Sequence, residues 1–177
     1  MSTRRVVTGH NEAGKSVIAS DEAVEPLVST AMPGVEMFYL WGYDAPQVYP
    51  DAGEQPEWTT HFPPKGGGRF VIFSLPPAGT PVPEEAGTPE ARADADATFP
   101  GLLDVYEADD PGMHTSETTD FAVVLSGQVV LELDDGEKRT LGPGDVVVQN
   151  GTRHRWINAF DERVTIGFVL LGAERQG

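Results

Sequence analysis

Short apolar runs, each bounded by Gly, Pro, Asp or Asn, dominate the chain, and long helical periodicity is hard to find. Runs of this length that are rich in β-branched residues predict strands, and the residues between them predict turns. We predict ten strands, over residues 4–9, 15–20, 36–42, 69–75, 121–126, 128–134, 138–142, 145–149, 154–158 and 164–172. Strands in that number, joined by tight turns, favour a sandwich or a barrel. The pattern therefore predicts an all-β fold.

Two long segments between the predicted strands look irregular. Residues 45–68 are rich in proline and glycine, and residues 76–100 are acidic and rich in proline and alanine. Within the second segment, residues 88–99 favour a short helix, because Thr88 can cap it and Pro89 suits its first position. We interpret the segment otherwise as a solvated surface loop, with a mobile flap over a pocket as the alternative.

Charge and composition narrow the classes of partner. The 177 residues include 12 Lys and Arg against 28 Asp and Glu, a formal net charge of −16. Nucleic acid and anionic lipid both require a cationic face, so we expect neither as a partner. The chain has no cysteine, which excludes disulfides, thiolate metal sites and cysteine nucleophiles. The sequence has no bilayer-crossing run and no apolar signal core near its start, so we expect a cytoplasmic protein.

Two histidines and one aspartate are the candidate reactive residues. His114 and Asp120 lie on or beside one predicted hairpin, and His154 begins a strand two turns later. On an unbroken strand His114, Ser116 and Asp120 share a face, because successive side chains alternate. A bulge within residues 115–119 would break this parity. The site hypothesis requires both imidazoles and the carboxylate to point into one hollow.

The same region resembles the cupin superfamily, whose fold is a small jelly-roll barrel. The first cupin motif is His-x-His, then Glu, then a closing Gly, and the matching positions here are His114, Ser116, Asp120 and Gly127. The second motif is matched by the run GDVVVQNGTRHRWIN, which supplies Gly144, Asp145, Gly151, His154 and Asn158. The resemblance covers roughly residues 100–172.

This resemblance implies one cupin-like jelly-roll domain over residues 1–177, with extra N-terminal strands. Residues 100–172 would carry the conserved barrel motifs, and residues 1–99 would supply strands and loops that complete the sheets. It also implies a homodimer and a small-molecule enzyme that works inside the barrel. Dioxygenase, decarboxylase, dehydratase or lyase, and isomerase chemistry all remain open.

Two imidazoles and one carboxylate can hold a divalent metal and leave coordination positions open. We therefore predict that His114, Asp120 and His154 bind Fe, Mn, Ni, Zn or Cu and act as the catalytic residues. Ser116 and Asp120 depart from the His and Glu of the family, so two metal-free alternatives stay open. One is a small-ligand-binding or sensor barrel without catalysis, and the other is direct acid–base chemistry by His114 and His154. A Ser-His-Asp hydrolase is disfavoured, because the chain has no G-x-S-x-G elbow.

Four residues are predicted to shape the substrate pocket: Ser116, Trp156, Phe70 and Ile72. Trp156 has the strand parity of His154, whereas Phe70 and Ile72 have core filling as their alternative role. Apolar walls with few polar groups suit a small organic substrate.

Three other polar residues have two interpretations each. His61 is expected at the surface rather than in the pocket. Arg153 and Arg155 flank His154, and they either meet an anionic ligand or pair with nearby carboxylates.

Overall fold

The structure, a computed structural model, describes residues 3–175. Within them lie ten strands, and each predicted strand overlaps one of these. The strands are β1 Thr3–His10, β2 Ser16–Val24, β3 Glu36–Tyr43, β4 Gly68–Leu75, β5 Thr118–Ser126, β6 Val129–Glu132, β7 Lys138–Leu141, β8 Val146–Asn150, β9 Arg155–Ile157 and β10 Val164–Gly172. One α-helix, α1, spans Pro89–Thr98, and short 3₁₀ turns cover Glu84–Gly87, Leu103–Val105 and Asp134–Gly136. Among residues 3–175, no helix is long and apolar enough to span a bilayer.

Two antiparallel sheets enclose the main core. The larger has the strand order β3-β4-β10-β5-β8 and the smaller β7-β6-β9. Because side chains alternate along each strand, every strand gives one row to the core. The core combines Val71 of β4, Val124 of β5, Val129 of β6 and Ile166 of β10, all nearly inaccessible to solvent. The predicted all-β barrel is confirmed.

The N-terminal strands extend this framework in two ways. Strands β3 and β4 join the larger sheet directly, whereas β1 and β2 form a separate hairpin. The hairpin lies over the outer side of β3 and β4, where Val24 packs against the buried Phe38 and Ile72. Arg5 fixes its position, because its guanidinium donates to the carbonyl oxygen of Leu40 at 3.0 Å.

The segment 76–100 is packed to a greater extent than a solvated loop would be. As predicted, Thr88 caps α1: its hydroxyl accepts from the backbone N–H of Ala91 at 3.2 Å. Ala95 and Phe99 are buried, and Phe99 belongs to a cluster with Met37. The small residues of α1 let the predicted helix lie against the body of the fold, whereas most of residues 78–90 are exposed, as in a surface loop.

Candidate active site

A small inner cavity lies between the two sheets and continues into a larger outer cleft. The cavity has a volume of about 60 Å³, and three of the four histidines of the chain line it together with Asp120. The cleft has a volume of about 920 Å³. Four residues line both spaces and mark the passage between them: Phe73, Tyr106, His114 and Trp156.

His114 and His154 form a directly opposed pair on the cavity wall. The two residues make an antiparallel bridge, in which each backbone N–H donates to the carbonyl oxygen of the other, at 3.0 and 2.9 Å. Residues paired in this way project side chains to the same side. Their ring centroids are accordingly 4.3 Å apart, and both side chains are buried. Two residues forty positions apart in the chain therefore act as neighbours.

Backbone carbonyls fix the protonation pattern of both rings. Nδ1 of His114 lies 3.1 Å from the carbonyl oxygen of Gly112, and Nδ1 of His154 lies 2.9 Å from that of Thr152. A carbonyl only accepts, so Nδ1 carries the proton in each ring. Burial lowers the pKa of His114 and, with the nearby charge of His114, lowers the pKa of His154 to about 4. Both rings are therefore neutral near pH 7, and each Nε2 keeps its lone pair.

Asp120 supplies a buried carboxyl group to the same cavity. It lies on β5 and is only 4% exposed, and its Oδ1 has no hydrogen-bond partner. Burial raises the pKa of this carboxyl group to about 6, although the Thr118 hydroxyl partly opposes the shift. A carboxyl group with a pKa near neutral can both give and take a proton.

His61 is one residue that the sequence interpretation placed wrongly. It lies in the loop between β3 and β4 but is buried and lines the cavity. Its Nδ1 shares a 2.6 Å hydrogen bond with the Tyr39 hydroxyl. Burial, with the nearby charges of His114 and Arg69, lowers the pKa of His61 to about 3. The neighbouring aromatic residues Trp58 and Phe62 were the one sequence signal that this loop folds inward.

Arg69 holds the loop that carries His61. Its side chain is fully buried and donates to the carbonyl oxygens of Thr60, Tyr43 and Gly68 at 2.7–3.0 Å. It also forms an ion pair with Asp44, and its guanidinium lies 4.8 Å from the ring centroid of Trp58. A buried arginine with this many acceptors is a rigid anchor. Arg69 therefore positions the cavity wall that His61 belongs to.

The structure buries the three residues of the first motif but corrects one of them as a pocket residue. His114, Ser116 and Asp120 are all buried, but β5 begins only at Thr118, so the three residues do not lie on one unbroken strand. Ser116 nevertheless does not line the cavity, because its hydroxyl is bonded to Thr118 Oγ1 at 2.8 Å. Trp156 does line both the cavity and the cleft.

Phe70 and Ile72, predicted as pocket residues, lie on the outer side of the larger sheet. Phe70 is 46% exposed, and Ile72 packs under the N-terminal hairpin. The inward positions of β4 belong to Val71 and Phe73, which line the cavity instead. The prediction that Phe70 and Ile72 face the substrate is wrong, because the parity of β4 is the opposite of the one assumed.

Arg153 and Arg155 pair with carboxylates close to the cleft. Arg153 donates to Glu107 at 2.7 Å and to Asp110 at 2.9 Å. Arg155 donates to Glu132 at 2.7 Å and to Asp110 at 2.6 Å. These contacts account for both guanidinium groups without an anionic ligand.

The predicted metal site depends on its donor groups and on their arrangement. Free Nε2 atoms on two imidazoles and an unpartnered carboxylate oxygen are donors that suit a divalent transition metal. However, within residues 3–175 no three His, Asp or Glu side chains form a group that could hold a metal ion. His114, Asp120 and His154 line one cavity, and metal binding by them stays a prediction.

Comparison with known proteins agrees with this fold. The family described as a cupin domain matches residues 102–170. The phomopsin biosynthesis cluster protein C' of Diaporthe leptostromiformis is 47% identical over 57 residues, which cover 32% of this chain and 30% of that protein. The cupin-domain-containing oxidoreductase fogC of Aspergillus ruber is 35% identical over 79 residues, which cover 43% of this chain and 39% of that protein. These matches span about a third of the length of each relative.

Among solved structures, the polyketide cyclase RemF of Streptomyces resistomycificus is similar with a TM-score of 0.46 and 16% identity, over 87% of this chain and 77% of that one. The family match covers the paired histidines and Asp120. The opposed sheets and the two motif histidines on adjacent segments fit the same family. Residues 102–170 are a cupin domain.

Proposed function

We propose that this protein is a small-molecule enzyme that transfers protons to and from an organic substrate at the inner end of the cleft. One observation carries the proposal: two neutral imidazoles with free Nε2 atoms share a buried cavity with a carboxyl group whose pKa is raised to about 6. General acid–base catalysis requires groups of this kind, held within reach of the same substrate atom.

The dimensions of the site indicate how a substrate would lie. A cavity of about 60 Å³ holds a few water molecules, since each needs about 10–15 Å³. Only the reacting end of a substrate enters it, and the rest of the molecule lies in the cleft of about 920 Å³. Phe73, Tyr106 and Trp156 line the passage, so an apolar or aromatic substrate body is favoured.

The residues divide the chemistry between them. His154 and His114 accept a proton at Nε2, and the Nδ1–H bonds to backbone carbonyls hold the rings while they do so. Asp120 returns a proton or accepts a second one. Isomerisation, elimination of water and decarboxylation all proceed through such transfers. The names of the relatives, which describe an oxidoreductase and a biosynthesis cluster protein, support an enzyme of small-molecule metabolism.

Solvent deuterium exchange tests this proposal even while the natural product of the reaction is unidentified. The purified chain is incubated in D₂O with a panel of aromatic and aliphatic ketones, β-keto acids and β-hydroxy ketones, and deuterium uptake and turnover are followed by mass spectrometry. We expect uptake with at least one class, abolished in His154→Asn. The matched control is His10→Asn, because His10 lies outside the cavity and bonds the carbonyl of Asp51. Equal exchange in the wild type and His154→Asn would reject the proposal.

Metal binding by His114, Asp120 and His154 remains a prediction, since these side chains do not form a recognised three-ligand group among residues 3–175. Elemental analysis after reconstitution with Fe, Mn, Ni, Zn or Cu tests it. Stoichiometric metal that disappears in His154→Ala supports the metal-dependent form of the enzyme.

A chain that binds panel compounds by calorimetry but shows neither exchange nor turnover would be the non-catalytic binding or sensor barrel.

A further inference from the structure

His61 lies at the innermost part of the site. Like Asp120 and His154, it lines the inner cavity and not the cleft. It is 6% exposed, and its ring packs edge-on against Phe62 with the ring centroids 4.6 Å apart. Because the reacting end of a substrate would lie in this cavity, His61 is in position to contact the atoms that react.

The Tyr39 hydroxyl determines which ring nitrogen of His61 carries the proton. Burial raises the pKa of Tyr39, so the hydroxyl keeps its proton. Among residues 3–175, its one hydrogen-bond partner is Nδ1 of His61, at 2.6 Å. If the hydroxyl accepted from Nδ1–H, its own proton would lie without an acceptor beside the rings of Trp58 and Phe99, which is costly. The hydroxyl therefore donates to Nδ1, and the proton of the neutral ring lies on Nε2.

This protonation pattern adds a donor to a cavity whose other inner polar groups accept. His154 presents the lone pair of Nε2, because its Nδ1–H is bound to the Thr152 carbonyl. Asp120, with its pKa near 6, is mostly a carboxylate at pH 7. His61 is the complement of both, since its Nε2–H can donate. A cavity with a donor and a base side by side suits a carbonyl oxygen and the acidic C–H next to it.

Backbone contacts hold this donor in place. The backbone N–H of His61 donates to the carbonyl oxygen of Pro100 at 2.7 Å. Arg69 donates to the preceding carbonyl, that of Thr60, at 3.0 and 2.9 Å. The Tyr39 hydroxyl fixes the ring itself. A donor held in this way needs little rearrangement when negative charge develops on a substrate oxygen, and such donors are worth most in a site that excludes water.

We propose that His61 is a catalytic residue whose Nε2–H donates a hydrogen bond to the carbonyl oxygen of the substrate. The donor role rests on the proposed function and narrows the substrate to a compound with a C–H group next to a carbonyl. Nε2 of His154 takes the proton, the C–H bonding pair becomes the C=C bond of an enolate, and the carbonyl π pair moves to oxygen. His61 stabilises that oxygen and transfers no proton. Return of a proton from His154 to carbon needs no oxidant or reductant.

Acetophenone and α-methylstyrene test this hydrogen bond without any reaction, because they have nearly the same shape and only acetophenone has an acceptor oxygen. Calorimetry gives the ratio of their dissociation constants. His61→Leu should reduce the preference for acetophenone about fivefold, the usual effect of one lost hydrogen bond. His10→Leu is the matched control, because it removes an imidazole outside the cavity, and it should leave the ratio unchanged.

The tautomer of His61 is a second readout that does not depend on turnover. Two-bond ¹H–¹⁵N correlations at pH 7 should place the proton of His61 on Nε2, and Tyr39→Phe should shift part of it to Nδ1. A proton on Nδ1 in the wild type would overturn the donor role. So would acetophenone that does not bind the wild type, or a ratio of dissociation constants that His61→Leu leaves unchanged.

Deuterium exchange into the methyl group of acetophenone separates the donor role from the proposed function. His61→Leu should lower kcat by about 10²–10³-fold, the usual effect of removing one such donor. His61→Gln should retain part of the rate, because its amide can still donate, and it replaces His61→Leu if circular dichroism shows that variant unfolded. Equal exchange in the wild type and His61→Leu would reject the donor role alone. A wild type without exchange would reject the proposed function, and the binding ratio would still decide whether His61 binds a carbonyl oxygen.

Discussion

His114 and His154 exchange both backbone hydrogen bonds across adjacent segments, and their rings lie 4.3 Å apart. Because the same backbone that pairs the residues also binds each Nδ1–H through a carbonyl two positions earlier, the pair is held at both ends. These backbone contacts hold both rings in place and leave both Nε2 lone pairs free. The proposed chemistry depends on this arrangement.

Replacing either histidine of the pair should remove proton transfer. His114→Asn and His154→Asn should each lower the deuterium exchange rate by about 10²–10⁴-fold, the usual contribution of a general base. The double variant should be little slower than the slower single variant, since residues that act as a unit are not additive. Exchange rates measured by mass spectrometry check this. Independent, multiplicative losses would contradict a joint role.

Asp120→Asn should stabilise the fold while it impairs catalysis. Burial raises the pKa of Asp120 from 3.8 to about 6, so above pH 6 the folded state keeps a charge that it disfavours. The substitution should therefore raise the free energy of unfolding by about 3 kcal/mol above pH 6. The gain should shrink as pH falls from 6 and vanish below 3.8. Urea unfolding at several pH values measures it, with the exposed Asp161→Asn as control. A loss of stability at pH 7 would show that the carboxylate is paired.

The buried histidines should make the protein sensitive to acid. Burial lowers the pKa of His61 from 6.5 to about 3 and that of His154 to about 4. Between these pKa values and pH 6.5, the unfolded chain binds more protons than the folded chain. The free energy of unfolding therefore decreases by about 1.4 kcal/mol for each group and for each unit by which the pH is lowered. Above pH 6.5 these histidines no longer reduce the free energy of unfolding.

The variant His61→Gln isolates one of these groups. Between pH 7 and pH 5, the free energy of unfolding of this variant should decrease by about 2 kcal/mol less than that of the wild type. Tyr39→Phe is the control, because it removes the hydrogen bond to His61 but no group that titrates in this range. Urea unfolding at both pH values gives the comparison. An unchanged loss in His61→Gln would mean that His61 is protonated in the folded state.

Arg69→Ala should destabilise the whole fold. It removes the donor that Arg69 supplies to three carbonyl oxygens and to Oδ1 of Asp44, and breaking such a buried cluster costs about 3 kcal/mol or more. Arg4→Ala is the matched control, since the Arg4–Asp21 pair is solvent-exposed and should leave the unfolding midpoint nearly unchanged. Chemical denaturation compares them. Equal midpoints would contradict the anchoring role of Arg69.

Local patterns were sufficient to predict the strands and the helix cap. Each depends on neighbours in sequence: alternation along β5, turn residues between strands, and Thr88 three positions before the N–H that it caps. Alternation also separates the two faces of a strand. It does not say which face turns inward, and this is why Phe70 and Ile72 were assigned to the wrong side of β4.

Long-range contacts determined the rest of the candidate site. His61 enters the cavity because Arg69 holds the preceding residue, Thr60, and the bond from His61 to Tyr39 spans 22 positions. Arg153 reaches Glu107 across 46 positions. Neither contact has a local sequence pattern. A histidine in a Pro- and Gly-rich loop is more often exposed, so the sequence alone favoured the wrong interpretation of His61.

The state of the paired imidazoles is the most direct test of the account. Protein with ¹⁵N-labelled histidine gives two-bond ¹H–¹⁵N correlations that report which ring nitrogen carries a proton, and His114→Asn and His154→Asn assign the signals. At pH 7 we predict that both rings are neutral, with the proton on Nδ1 and a free Nε2. A proton on Nε2 of either ring, or a charged ring at pH 7, would contradict the proposed acid–base site.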